Sequence, residues 1–313
     1  MPTWRILLAD GLAKNGQEIL GSTCQLDDRA GIRADELGAI IDQYEAVVVS
    51  GRSHLSAGIL EAGKKLRVVG RVGMQVDNID LAAAARRDIV VVNSPQAATN
   101  AVAEYTLAAI LALARMLPRA DATIKAGLWL KQEFQGIEVQ GKILGVIGCG
   151  QVSSKLGQLA SGLGMRIIGY DPWLKADAIT RLGIEAVRLE EVYQRADFIS
   201  LHIPLSPETR DLLGGQALAQ MKRGVRLICT SPGKLIDETA LLGALESGQV
   251  AGIAVDVYPR EPPGLTSLVA HPKVIATPHI SPQTVEAGVQ AAEDIACEVL
   301  AALRGAPLRW RIV

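Results

Sequence analysis

The stretch GKILGVIGCGQVSSKLG, residues 141–157, places Gly148 and Gly150 at the end of an apolar run, ahead of a helix-like segment from Val152 to Leu163. A bare turn in that setting lets main-chain N–H groups and the positive end of a helix face a pyrophosphate. The next apolar run ends in Gly-Tyr-Asp-Pro, so Asp171 follows Gly150 by 21 residues. That is near the spacing at which an acid accepts hydrogen bonds from the adenosine ribose of a dinucleotide. Its charge would repel a 2′-phosphate, and no arginine follows in Pro-Trp-Leu-Lys (172–175), so NAD is expected rather than NADP. Where such a loop would carry its third glycine the chain has Ser153. That glycine serves close packing of helix on strand, and the small serine side chain is expected to be tolerated there.

The elements that must hold this loop are legible as short Val- and Ile-rich runs alternating with stretches of helical period, the pattern of buried parallel strands with crossover helices. In the first third the runs are residues 5–9, 46–50, 66–72 and 89–93, with helix-like segments near 56–63 and 80–86. From Asn100, NAVAEYTLAAILALARML is apolar too densely for an exposed helix and predicts one long helix packed on more than one side. The alternation restarts at 142–148, 165–171, 197–203, 225–230, 251–257 and 273–277, a second and larger doubly wound sheet. A last helix spans roughly 283–304, with Gly305 as its stop. The fold class expected is therefore α/β, with two doubly wound parallel-sheet domains.

Composition narrows the partners. The 313 residues, 49% of them hydrophobic, can bury a core larger than one domain needs. The formal charge of −1, with no basic run, argues against a nucleic-acid surface and for a small-molecule partner. Cys24, Cys149, Cys229 and Cys297 lie far apart without a C-x-x-C pair or a histidine cluster, so no zinc site or disulfide framework is indicated and four buried thiols are expected. The N-terminus lacks the features of a signal peptide, no run of eighteen apolar residues is present, and a reducing cytoplasm is the expected setting.

Several stretches together resemble one family. GRVGMQVDNIDL (70–81), NSPQAATNAVAEYTLAAILALAR (93–115), the glycine loop, LHIPLSPETRDLL (201–213), LIDETALLGALESGQVAGIAVDVYPREPP (235–263) and TPHIS (277–281) are similar, in order, to the D-2-hydroxyacid dehydrogenases, which include phosphoglycerate dehydrogenase. The resemblance implies a flavodoxin-like substrate domain of residues 1–95 and 286–313, a Rossmann NAD-binding domain of residues 96–285, an interdomain cleft and a homodimer. It implies hydride transfer between nicotinamide and a small 2-hydroxy or 2-oxo acid. His279 of TPHIS would be the proton donor and Glu261 of REPP its partner, since a carboxylate beside an imidazole favours the protonated form and fixes the tautomer. The same resemblance adds Gln151, Val152, Pro204, Thr209, Thr230, Asp256 and Thr99 to Gly148, Gly150 and Asp171 as cofactor contacts. It offers Val72, Gly73 and Gln75 as substrate contacts, implies no metal, and leads to the expectation of a simple subunit without an appended regulatory domain.

The departures from the family pattern concentrate on the substrate side. Where relatives carry an arginine that orients the substrate carboxylate, CTSPGKLID (229–237) has Pro232, which offers neither charge nor donor. Gln75 replaces a glycine, Gln96, Ala97 and Ala98 replace two glycines and an asparagine, and Ser50 stands where phosphoglycerate dehydrogenases have a phosphate-binding arginine. Lys234, Arg52 and Arg71 are the cations that could substitute. Three readings stay open at this point: a dehydrogenase with altered substrate recognition, an NAD(H)-binding regulatory protein, and a non-redox lyase or isomerase that uses the His279–Glu261 pair.

Overall fold

The computed structural model describes residues 4–313. The chain divides into two units, one formed by the chain up to Ala98 together with Gln283–Val313, the other by Thr99–Pro282.

The first unit begins β1 (Trp4–Leu8), α1 (Lys14–Gly21), β2 (Cys24–Asp28), α2 (Ala34–Ile40), β3 (Ala46–Val49), α3 (Ala57–Ala62), β4 (Val68–Arg71), α4 (Leu81–Arg86) and β5 (Val90–Asn93). The five strands are all parallel in the order β2-β1-β3-β4-β5, the flavodoxin-like order, with its switch point between β1 and β3. Helices cover both faces, so Val47, Val48 and Val49 are buried in succession, which is why these strands appear as continuous apolar runs. β2 departs from that pattern. It is an edge strand of sequence CQLDD, largely in contact with solvent, and its polar residues gave no strand signal. The short helices α1 and α2 went unanticipated as well.

In the second unit the long helix predicted from Asn100 forms as α5 (Thr99–Arg115), with Ala103, Ile110, Leu113 and Ala114 among its buried residues. It ends at Met116, which adopts a left-handed conformation (φ 54°), and α6 (Leu117–Lys125) continues after it with Pro118 in its first turn. Then follow β6 (Ile143–Ile147), α7 (Gln151–Gly162), β7 (Arg166–Tyr170), α8 (Ala176–Arg181), β8 (Glu185–Ala186), α9 (Leu189–Arg195), β9 (Phe198–Leu201), α10 (Gly215–Gln220), β10 (Val225–Cys229), α11 (Glu238–Glu246), β11 (Val250–Val255) and β12 (Val274–Ala276). The seven strands are parallel in the order β12-β11-β10-β9-β6-β7-β8, so the order reverses between β6 and β9 as in a Rossmann fold.

The chain then returns to the first unit with α12 (Val285–Arg304), capped at its start by the Thr284 hydroxyl, which accepts from the Ala287 amide, and ended by Gly305 at φ 68°. Ile295, Val299, Leu300 and Leu303 of α12 are buried in one cluster with Val68 of β4 and Val92 of β5, each contributing about 1.5–3 kcal/mol by burial. Beyond the helix the chain pairs antiparallel with β5, Val92 bridging Arg311, and the buried Glu298 carboxylate accepts from the amides of Arg309 and Trp310. Three cysteines are buried as expected, but Cys297 is exposed: it lies on the solvent side of α12. Among the described residues no single helix is long and apolar enough to cross a membrane, and no group of three or more His, Cys, Asp or Glu could hold a metal ion.

Candidate active site

The glycine loop sits at the carboxyl ends of the central strands of the seven-stranded sheet. Gly148 has φ 92° and donates its amide to the Tyr170 carbonyl at 2.8 Å. A Cβ there would lie 2.4 Å from the His202 carbonyl oxygen, so only glycine lets the loop pass between β6 and β9. Gly150 precedes α7 as its cap residue, and the space where its side chain would stand is open. Ser153 takes on a task that its replacement of glycine did not suggest: it is buried, and its hydroxyl donates to the Gly148 carbonyl at 2.5 Å. Asp171 is tied to the same loop, one carboxylate oxygen accepting from the Cys149 amide at 2.8 Å and the other from the amides of Trp173 and Leu174.

Gln151 and Val152 open α7, so their amides have no partner within the helix. Pro204 and Thr209 lie on the loop after β9, where the Thr209 hydroxyl donates to the Pro204 carbonyl at 2.8 Å and accepts from the Ser206 amide at 2.7 Å. Thr230 follows β10, its hydroxyl oxygen buried without a hydrogen-bond partner. Such an orphan is costly unless a ligand satisfies it. Thr99 begins α5 and is partly buried. An open cap at Gly150, first-turn amides of α7 and an unsatisfied Thr230 hydroxyl on one edge of the sheet fit the phosphates and sugars of a dinucleotide.

His279 and Glu261 meet, His279 Nδ1 lying 3.0 Å from Glu261 Oε2. The carboxylate can only accept, so the bond places the hydrogen on Nδ1 and directs Nε2 to the other side of the ring. Glu261 is itself held, its second oxygen accepting from the Tyr258 amide at 3.1 Å. Both side chains remain more than one-third exposed. His279 has φ 54°, a conformation uncommon for any residue with a Cβ. Asp256 accounts for it. Fully buried, Asp256 accepts from the Thr277 hydroxyl (2.6 Å) and the Ile280 amide (2.9 Å) on one oxygen and from the Ser281 amide (2.8 Å) on the other, while its carbonyl takes the His279 amide at 3.0 Å. In this structure Asp256 braces the histidine loop.

His202 is no part of this pair. Its Nε2 lies 2.8 Å from the Ser200 hydroxyl; although it keeps slight contact with solvent, the packing around the ring pushes its pKa down to about 4.

The substrate-side candidates fall on both units. Lys234 is exposed on a short turn after Pro232. In the first unit, Arg52 is exposed, one guanidinium nitrogen 3.4 Å from the Asp10 carbonyl, and Arg71 is half-buried at the end of β4, where burial pushes its pKa down. Val72, Gly73 and Gln75 follow β4, with the Gly73 amide bonded to the Ser94 hydroxyl at 2.7 Å and Gln75 in solvent. Val72 and Ser50 line an open depression of about 300 Å³ with Asp10, Gly288 and Ala292. Asp10 went unremarked in the sequence. Its carboxylate accepts from the amides and hydroxyls of Ser50 and Ser53; burial alone would raise its pKa, but these bonds outweigh burial and leave it below the ordinary carboxylate value. Tyr105 was also missed: its hydroxyl lies 2.5 Å from the Thr277 hydroxyl, and a tyrosine in a helix expected to be buried on several sides was the signal that such a partner exists.

The model of the D-isomer specific 2-hydroxyacid dehydrogenase NAD binding domain matches residues 107–281. The chain is 39% identical over 305 residues to D-3-phosphoglycerate dehydrogenase of Synechocystis sp., covering 97% of this chain and 55% of that protein. It is 39% identical over 302 residues to D-3-phosphoglycerate dehydrogenase of Methanocaldococcus jannaschii, covering 96% and 58%. The chain thus spans a little over half the length of these relatives. Among solved structures, a glyoxylate reductase from Paecilomyes thermophila superposes with a TM-score of 0.88 at 27% identity, covering 100% of this chain and 99% of that one. The apo form of D-lactate dehydrogenase from Escherichia coli gives 0.86 at 28%, covering 99% and 100%. Matched along nearly its whole length, the chain belongs to the D-isomer specific 2-hydroxyacid dehydrogenase family and carries that family's NAD-binding domain.

Proposed function

We propose that this protein is an NAD-dependent oxidoreductase that interconverts a small, unphosphorylated 2-oxo acid and its 2-hydroxy acid. The observation that carries the reading is the 3.0 Å contact between His279 and Glu261. The nicotinamide cofactor, when bound, would give up the hydride in its reduced form and take it back in its oxidised form, with Gly148, Gly150, Gln151, Val152, Asp171, Pro204, Thr209, Thr230 and Thr99 as the residues that would hold it. His279 then hands a proton from Nε2 to the substrate oxygen in the reducing direction and recovers it in the other, while Glu261 keeps Nδ1 protonated and the ring in place. Asp256 serves the site by holding the histidine loop.

Two observations support an atypical substrate. By the resemblance of CTSPGKLID to the family's pattern, Pro232 takes the place of its arginine, which would remove a bidentate carboxylate clamp. Asp10 places a negative charge against Ser50, unfavourable for the phosphate that the curated relatives' substrate carries by name. Arg52, Arg71 and Lys234 remain the cations available for a carboxylate, with Val72, Gly73 and Gln75 following Arg71 in the chain. Dimerisation is supported by apolar side chains exposed on and after α6, including Leu117, Ile124 and Trp129, the last 80% exposed. A dimer mass in light scattering tests it, and a monomer refutes it.

The deciding experiment follows loss of NADH absorbance with glyoxylate, hydroxypyruvate, phenylpyruvate and 3-phosphohydroxypyruvate, against His279→Ala. Turnover of an unphosphorylated acid, absent in the variant, is expected. Pro232 also favours a second reading, an NAD(H)-binding regulatory protein, which predicts NADH binding without turnover of any acid.

A further inference from the structure

A line of hydrogen bonds runs from α5 to the loop carrying His279. The Thr277 hydroxyl has a single hydrogen, and the Asp256 carboxylate 2.6 Å away can only accept it. The Tyr105 hydroxyl, 2.5 Å from Thr277 Oγ1, must therefore be the donor to Thr277. Asp256 in turn gathers the amides of His279, Ile280 and Ser281, and the Tyr258 hydroxyl holds the Thr277 carbonyl at 3.0 Å. A left-handed His279 persists only where its surroundings impose it. Here the imposing groups form one connected network whose outermost member is a phenol on a different element, and connected polar networks orient their members more firmly than isolated pairs do.

We propose that Tyr105 is a positioning residue for His279: through Thr277 and Asp256 its hydroxyl fixes the left-handed backbone that brings the imidazole to Glu261. The inference rests on the reading of His279 as the proton donor. Phenylalanine would fill the same volume in the helix, so the hydroxyl can be removed on its own.

The test compares Tyr105→Phe, Thr277→Val and Thr277→Ser. In Tyr105→Phe and Thr277→Val, kcat should fall about fivefold to tenfold, the rate equivalent of one hydrogen bond, with KM and NADH affinity unchanged. Thr277→Ser, which keeps the hydroxyl, should restore kcat. Independently of turnover, the imidazole nitrogen resonances of His279, one of four histidines, should move in the first two variants and not in the third. A merely structural role would lower the melting temperature and leave those resonances in place. Wild-type kcat and superimposable His279 resonances in Tyr105→Phe would overturn the proposal. If the wild type reduces none of the acids, the hydride-transfer reading fails by itself, and the resonances still decide whether Tyr105 positions the imidazole.

Discussion

Adding one methyl group at each glycine of the nucleotide loop should produce two different failures. At Gly148 the new Cβ would lie 2.4 Å from the His202 carbonyl oxygen and 2.8 Å from the Ile203 amide, both backbone atoms that cannot rotate away, at φ 92°. The positive φ costs roughly 1–2 kcal/mol in an L-residue and forced repacking about 1–3 kcal/mol more. Together they make a loss of about 2–5 kcal/mol, or roughly 5–15 °C in Tm. At Gly150 nothing stands within 4 Å of the added carbon, and φ −86° with ψ −161° suits alanine. The lost cap preference and the reduced freedom of the unfolded chain nearly offset each other, so stability should change by about 0.5 kcal/mol or less. The methyl would stand instead where the pyrophosphate approaches α7, and NADH affinity should fall at least about tenfold, or 1.4 kcal/mol. Thermal melts without nucleotide and NADH fluorescence titrations separate the two. Gly150→Ala binding NADH as the wild type does would refute the placement of the pyrophosphate. Gly148→Ala melting as the wild type does would refute the steric argument.

Other outcomes follow from the same geometry. His279→Asn and His279→Ala should both lose turnover while binding NADH, but Asn tolerates the left-handed backbone and should melt higher, by up to about 1 kcal/mol of stability; equal melts would count against strain at this residue. Pro232→Arg should raise kcat/KM for a 2-oxo acid about 10²-fold, the worth of one transition-state donor at roughly 3 kcal/mol, and no gain would point to the regulatory reading. His202 has a folded pKa of about 4 against 6.5 unfolded, so its contribution is complete above pH 6.5 and is lost as pH falls towards 4. Near pH 5 the loss should be at most about 2 kcal/mol, less for a ring that keeps some solvent contact, and denaturation of His202→Asn should lack it. A thiol reagent should label Cys297 quickly in the native protein and four thiols after denaturation, since Cys149 and Cys229 are buried with pKa values pushed up to about 12; rapid labelling of more than one native thiol would contradict this packing.

How much was legible in advance followed from distance along the chain. The buried strands declared themselves because both faces are covered, whereas β2, polar and at an edge, and β8, two residues long, had too little apolar sequence to register. The break at Met116 left only Pro118 as a trace, because methionine is not a residue type that marks a left-handed turn. Gly148, Gly150 and Asp171 were readable from one strand–turn–helix–strand segment, while the role expected of His279 and Glu261 came from resemblance and their contact from the structure. The groups that support them were not readable. Tyr105 and Thr277 are 172 residues apart and Asp10 and Ser50 are 40 apart, and no local period encodes such pairs.

The assembly of the first unit from both ends of the chain sets an order of events during synthesis. Residues 99–282 are complete, with all seven of their strands, before α12 leaves the ribosome. The five-stranded sheet must wait meanwhile, with the apolar strip around Val68 and Val92 lacking the helix that buries it. The unit translated first is therefore the one finished last, and for that interval its uncovered face is the part of the nascent chain most open to capture by chaperones or by other unfinished chains.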